Sequence, residues 1–401
     1  MWRRAAAGAL REVRLTEVAV AGVGMTRFGR HRNRSFRDLA LEAFDAALLM
    51  AGLDAGDIDA LVLAAESDAF TLQLNPSAVV AGDLGLTGAA ALRVEAGGAS
   101  GGVAVQAAAA RILAGLSRRV AVVGVDVTAS SLPGDAVRDL YGFSFDAWGE
   151  GMTGVTATAL YALSWQAWAA REGAGDDDLA RVVLKNRANA CLNPLAHLPR
   201  TQDAAEVASS PLVASPYRRL HCSPLSDGAA AVVLARRADL PLGRRDAPRI
   251  LGMGAATDLA QPGGRGDMGD FAAKRTAMGR ALDMAGLGAG DVEAAEVYDA
   301  YAGAEMQALD ALGLSADPAR ELAQGRFGRD GALPINLSGG LLGQGAPPGA
   351  TGVAQAATCA LLVEGQYHEG LQPSRPPRVA LADTHGGLCT TATVTLIGRA
   401  A

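Results

Sequence analysis

Aromatic side chains make up only 4% of the 401 residues, so the interior has to close through small aliphatic groups rather than stacked rings. There are four cysteines, Cys191, Cys222, Cys359 and Cys389, with no CxxC pair among them. The five histidines add no metal-ligand spacing, although His221 adjoins Cys222. Neither a zinc site nor a disulfide framework is indicated, and each thiol reads as a small buried hydrophobe. Basic charge is not in excess: 36 Lys and Arg against 42 Asp and Glu leave a formal charge of -6. A phosphate backbone would meet no matching field, so nucleic acid is not an expected partner. No run approaches the ~18 uncharged apolar residues of a membrane span. The cluster Arg3, Arg4, Arg11 and Arg14 is not followed by a signal-peptide core. A soluble cytoplasmic protein without a membrane segment is the expectation.

Small residues are plentiful. Fifty glycines and a half-hydrophobic composition predict closely packed helices and many backbone turns, in a chain long enough for one large core or two lobes. The run at 18–23 (VAVAGV) reads as a buried strand. A helix is predicted from about Ser35 to Ala51, stopped by Gly52, with a second strand at 60–64. The same pattern returns much later. AFDAALLMAGLDAGDIDALVLA from Ala43 aligns without a gap onto AMGRALDMAGLGAGDVEAAEVY from Ala277. A weaker echo relates GASG at Gly98, an Ala-rich helix and RVAVVGV at Arg119 to GATG at Gly349, an Ala-rich helix and RVALADTHGG at Arg378. The chain therefore reads as an internal duplication of alternating strands and helices, an α/β architecture with helices layered around sheets. The predicted parts are an N-terminal extension at 1–16, a first lobe at 17–248 and a second at 249–401, with an unmatched insertion at about 128–248.

One stretch carries the chemistry. VEAGGASG, Val94 to Gly101, sets two glycines and Ser100 before a predicted helix, a turn that can aim backbone N–H groups at a carbonyl or oxyanion. Within the insertion, KNRANACLNPLAHL begins at Lys185 and RRLHCSPLSDGAAAVVLA at Arg218. Taken in this order, these strings resemble the thiolase superfamily, and within it the lipid-transfer-protein (sterol-carrier) thiolases. The resemblance covers nearly everything from Val18 to Gly398. It implies the thiolase fold, two duplicated α/β lobes in layers of helix and sheet with an inserted loop domain.

The resemblance also shows what has been replaced. The family motif V-E-x-A-C-A-S-G has its nucleophilic cysteine where this chain has Gly98. The histidine-aspartate-cysteine-phenylalanine motif aligns with Tyr298, Asp299, Ala300 and Tyr301, and the histidine of G-H-P with Ala346. Acyl-enzyme chemistry therefore loses both thiols and both imidazoles. Thiolase-like aldolases of sterol side-chain breakdown share this pattern, lacking the cysteine and carrying a tyrosine at the Tyr298 position. They cleave β-hydroxyacyl-CoA thioesters with a small OB-fold and zinc-ribbon partner.

The resemblance thus implies Tyr298 as the group that moves the β-hydroxyl proton while the enolate of the departing acyl-CoA rests on backbone N–H groups. A phenol titrating near ~10 needs a lowered pKa or a hydrogen-bonded relay to act as base at neutral pH, with Asp299 or His385 as that relay. On the residues alone, Tyr298 reads equally well as a core tyrosine, Tyr301 as packing and Asp299 as a helix cap. Thioester oxygens are expected at Gly97, Gly98, Ser338, Gly339, Gly340 and Gly386, and at the Gly349 turn. Lys185, Arg187, Arg218 and Arg219 are the candidates for CoA phosphates. A CoA thioester is the implied substrate, with no tightly bound cofactor or metal, in a homodimer. An acyltransferase and a non-catalytic acyl-CoA-binding scaffold are the other two readings.

Overall fold

The computed structural model describes residues 15–399; the four N-terminal arginines and nearly all of the predicted 1–16 extension lie outside them. Nine strands form the main sheet: β1 Val18–Met25, β2 Ala60–Ala64, β3 Ala90–Val94, β4 Arg119–Val127, β5 Asp227–Arg236, β6 Arg249–Thr257, β7 Ala294–Glu296, β8 Val379–Gly386 and β9 Thr391–Gly398. Their spatial order is β3-β2-β4-β5-β1-β6-β9-β8-β7. Read outward from the centre, β1-β5-β4-β2 in one half matches β6-β9-β8-β7 in the other. The halves meet at β1 and β6, where Ala19 opposes Arg249 and the Val20 N–H donates to Pro248 O at 2.8 Å. β3 has no counterpart among the described residues and forms a partly exposed edge.

Each half carries an outer helix, α1 (Phe36–Ala51) and α4 (Ala272–Ala285), and contributes a central one, α2 (Ser100–Leu113) and α6 (Pro348–Glu364); the insertion adds α3 (Asp176–Leu192) and α5 (Ala302–Ala311) packs beside it.

Strand residues alternate between layers because successive side chains point to opposite faces. In β1, Val18 and Val20 face the central helices while Ala19 and Ala21 face α1; in β2, Ala60 and Val62 do the former and Leu61 and Leu63 the latter. With both faces covered, the strands read as continuous apolar runs. Two glycine pairs let the outer helices sit close. A Cβ on Gly22 or Gly24 would lie 2.1 Å from the carbonyl oxygen of Ala47 or Ala43, and one on Gly252 or Gly254 would lie 2.1 or 1.9 Å from that of Ala281 or Ala277.

The sequence repeat is a structural repeat. α1 begins in a capping box between Ser35 and Asp38. It ends at Gly52 with φ +64°, as α4 ends at Gly286 with φ +66°. Asp57 then accepts the Asp54 N–H at 3.0 Å, and Asp291 the Gly288 N–H at 2.8 Å. The predicted insertion is shorter than expected: Asp227–Arg236 is the strand that matches Thr391–Gly398, so the unmatched segment ends near residue 226, not 248. Gly228 lies within that strand, against Phe28. The central helices cross backbone to backbone, a Cβ on Gly101 falling 2.8 Å from Gly352 Cα. This crossing brings their N-termini, and the ends of β2, β7 and β8, to one place.

Candidate active site

A cavity of about 260 Å³ opens at that junction. Glu66 follows β2, Gly98 precedes α2, Tyr298 follows β7 and His385 ends β8, so strand ends and a helix start supply the floor. The insertion supplies the walls with Tyr141, Phe145, Tyr161 and Cys222. An adjoining cavity of about 400 Å³ shares Glu66, Tyr141 and Ser144 with it and is lined by Glu95, Gly97 and Gly386.

The turn at 95–100 is closed by its own side chains. Gly97, at φ +58°, gives its N–H to Glu95 Oε1 at 2.7 Å. The Ala96 N–H donates to Ser100 Oγ at 2.9 Å, and Ser100 donates to Gly97 O at 2.6 Å, so the serine is spent on the turn. Gly98 is where the missing side chain matters. A Cβ there would lie 2.2 Å from the Tyr298 hydroxyl oxygen and 2.6 Å from His385 O. The phenol thus fills the volume that any side chain at 98 would need.

Tyr298 is buried, and its backbone N–H donates to Asp383 Oδ2 at 3.2 Å. Asp383 also forms a fully buried ion pair with Lys274. The phenol's pKa is pushed up, first by burial and then by the negative charges of Glu66 and Asp299. The lowered pKa that a tyrosinate base would require is therefore not what this environment produces. Tyr298 is held as a neutral phenol.

His385 stacks obliquely on Tyr298, ring centres 4.6 Å apart. Its Nε2 lies 2.7 Å from the Tyr161 hydroxyl, which donates to Gly387 O at 2.6 Å, so Nε2 carries the proton. Its Nδ1 is buried with no partner among the described residues. Burial, then the positive charges of Lys274 and Arg265, hold the ring neutral well below its ordinary pKa. Tyr301 packs between Tyr161 and Tyr217, at ring distances of 4.5 and 5.3 Å, and bonds Thr158 at 2.9 Å while lining the cavity.

Several expectations are corrected. Asp299 does not reach Tyr298 as a relay: its oxygens accept Leu341 N–H at 2.6 Å, Leu342 N–H at 3.4 Å and Asn186 Nδ2 at 2.7 Å. It caps the short turn Gly340–Gly343 rather than the helix that follows it in sequence. Ser338, Gly339 and Gly340 line neither cavity. The Ser338 N–H and Oγ bind Glu296 at 3.0 and 2.5 Å, Gly339 N–H binds Asn336 O at 3.0 Å and Gly340 N–H binds Ser338 Oγ at 3.1 Å. The Gly349 N–H is likewise taken, by Asp126 Oδ2 at 2.6 Å.

Lys185 is locked into a buried network with Glu305, Asn186 and Ile335 O, which leaves it no phosphate to hold. Arg187 is buried, its pKa lowered to about 10 by burial. Arg218 donates to Ser210 O at 2.9 Å, and Arg219 is exposed. None of the four lines either cavity; the arginine on the rim is Arg138.

Glu66, outside the predicted set, has its Oε2 buried and unpartnered among the described residues. The repeat could have pointed to it, because Ala64 aligns with Tyr298 and so places Glu66 two residues beyond the Tyr298 position. Neither Cys222 nor Cys389 offers an activated thiol. Cys222 donates from Sγ to Arg218 O at 3.4 Å, and burial pushes both Cys222 and Cys389 up to about 12. Among the described residues, no group of three His, Cys, Asp or Glu is placed to hold a metal, and no helix is long and apolar enough to cross a membrane.

Comparison with known proteins is consistent along the chain. The model described as "Thiolase, N-terminal domain" matches residues 18–190, and "Thiolase C-terminal domain-like" matches 254–399. An acetyl-CoA acetyltransferase of Methanothermobacter thermautotrophicus is 33% identical over 389 residues, covering 96% of this chain and 100% of that protein. The benzoylsuccinyl-CoA thiolase subunit BbsB of Thauera aromatica is 29% identical over 384 residues, covering 93% and 95%. Among solved structures, an Ltp2-ChsH2(DUF35) aldolase superposes with a TM-score of 0.81 at 25% identity, covering 97% of this chain and 99% of that one.

Proposed function

The chain belongs to the thiolase superfamily, and from that premise we propose that it is a carbon–carbon lyase that cleaves a β-hydroxyacyl-CoA by a retro-aldol reaction. The observation that carries the reading is the exchange at one point in space: no side chain at Gly98, and the Tyr298 hydroxyl in the volume beside it. A site built to be acylated needs a thiol there, whereas a retro-aldol site needs a proton donor close to the acyl α-carbon. Transfer of the β-hydroxyl proton to a base of the site drives scission between the α- and β-carbons, releasing an aldehyde or ketone and the enolate of a shorter acyl thioester. The N-terminus of α2 supplies a favourable field for the enolate oxygen, and Tyr298, neutral and buried, supplies the proton that quenches its α-carbon.

Likeness to an Ltp2-ChsH2(DUF35) aldolase, and to a protein named as a thiolase subunit, supports a small partner of the OB-fold and zinc-ribbon kind. Exposed Phe143, Trp148 and Met152, in the segment leading from the cavity wall, give it an apolar landing. The open edge of β3 supports a homodimer. The acyltransferase reading draws on the 33% relative, but has no thiol at Gly98, and burial pushes Cys222 and Cys389 up to about 12. A binding scaffold remains the reading if no thioester turns over. The test is incubation with a β-hydroxyacyl-CoA bearing a tertiary hydroxyl, alone and with the partner. Release of ketone and shortened acyl-CoA, falling by about 100-fold or more in Tyr298→Phe, is expected. Full activity in that variant, or an acyl adduct on Cys222 or Cys389 by mass spectrometry, contradicts it.

A further inference from the structure

Glu66 stands where the two cavities meet and lines both. Its backbone is fixed, the N–H donating to Asp126 Oδ2 at 3.1 Å beyond the end of β2. Its side chain is not spent in the same way. Oε1 lies 3.8 Å from where a Cβ on Gly97 would stand, and Oε2 is buried with no partner among the described residues. A carboxyl oxygen kept out of water without a hydrogen bond is costly, so a fold that retains one at a cavity wall points to a use for it.

We propose that Glu66 is the second proton-transfer group of this site, taking the β-hydroxyl proton of the bound acyl thioester while the Tyr298 phenol protonates the departing enolate. The proposal rests on the lyase reading. The step balances without a co-reactant. Glu66 takes the hydroxyl proton, the oxygen's electron pair becomes the new carbonyl bond, and the electrons of the broken carbon–carbon bond pass to the thioester as an enolate. Tyr298 then gives its proton to the α-carbon, and the proton on Glu66 returns to the phenolate, restoring both groups.

The surroundings suit those roles. Asp126 at the end of β4, Glu95 beyond β3, Tyr298 beyond β7 and Tyr141 from the insertion face Glu66, while Arg93 is committed to an ion pair with Asp68. Burial first, then Asp126 and Glu95, raise its pKa well above the usual carboxyl value, which makes its carboxylate a stronger base than one in water. The same negative charge is among the causes that keep Tyr298 protonated.

The test uses Glu66→Gln and Glu66→Asp in the full chain. Glu66→Gln is expected to lower kcat by about 100- to 10,000-fold with KM little changed, and Glu66→Asp to recover part of the loss. In the parent protein kcat/KM should rise with pH along a limb lying above the ordinary carboxyl range, and that limb should vanish in Glu66→Gln. A role in structure alone would shift stability and leave the limb in place. If the parent cleaves the thioester and Glu66→Gln cleaves it equally well, the proposal is wrong. If the parent cleaves no such thioester, the lyase reading fails first, and infrared titration decides Glu66 separately. A carboxyl band that is lost in Glu66→Gln and titrates above the usual range supports a poised group, whereas titration in the ordinary range overturns it.

Discussion

Two helices that hold the same place in the two halves begin in opposite ways. At the start of α6, the Gly349 N–H is stopped by the buried Asp126 carboxylate, and Thr351 turns back to bind Pro347 O at 2.8 Å. At the start of α2, the turn closes on Ser100 and Glu95, and Gly98 faces a cavity and a tyrosine hydroxyl. A helix N-terminus favours negative charge, so each end has the same appetite. One half meets it with the Asp126 side chain built into the fold; on the proposed function, the other meets it with the enolate formed during turnover. Duplication built the frame twice, and on the proposed function the difference between the ends makes one of them a site and the other a strut.

The comparison can be broken most severely at Gly98. Gly98→Cys restores the thiol of the related motif, but its Cβ would press on the Tyr298 hydroxyl and on the backbone oxygen of His385. Loss of all lyase activity is expected, with a stability cost of about 1–3 kcal/mol and no acylation, because the ring and the thiol claim one volume. A stable variant that becomes acylated on the introduced thiol would show that the volume is shared after all.

A second test asks whether the halves are equivalent where they should be. Gly24→Ala and Gly254→Ala each drive a methyl into a helix carbonyl, at 2.1 and 1.9 Å. Both should cost about 3 kcal/mol or more by chemical denaturation. Gly56→Ala and Gly290→Ala, with nothing within 4 Å of the new methyl, should stay within about 0.5 kcal/mol. Unequal costs for the first pair would mean that the repeat is not packed alike.

The third test concerns the strut. Burial raises Asp126 from 3.8 to about 7, and Glu296 from 4.5 to about 7. A carboxyl whose native pKa is raised binds its proton more tightly folded than unfolded. Stability is therefore fully present below about pH 4 and lost as pH rises through about 7, by an amount on the order of a few kcal/mol. Asp126→Asn should flatten part of that fall, leaving the share of Glu296, when unfolding free energy is measured between these limits. An unchanged pH dependence would contradict the burial argument.

How far the sequence could be read depended on how local each signal was. The repeated Gly-Leu-x-Ala-Gly-Asp turn was readable because its left-handed glycine and its aspartate act within one turn of chain. Two glycines in an apolar run at 22 and 24 carried no such warning, since their use depends on a helix about twenty residues away. The residues at 98 and 298 were each recognisable as replacements, but that one occupies the room of the other is a contact across 200 positions. The loop at 338–340 has the same glycine-rich chemistry as 97–98, yet Glu296, Asn336 and Ser338 consume its N–H groups, which no local pattern reveals. Glu66 reads as an ordinary charge after a strand until the insertion folds over it, and Lys185 reads as a surface cation until Glu305 buries it.

The most direct measurement is a crystal structure with a β-hydroxyacyl-CoA analogue that cannot be cleaved. The account predicts the thioester carbonyl beside Gly98 at the start of α2, the α-carbon within reach of the Tyr298 hydroxyl and no bond to sulfur. An acyl group bound away from Gly98, or joined to a cysteine, would contradict it.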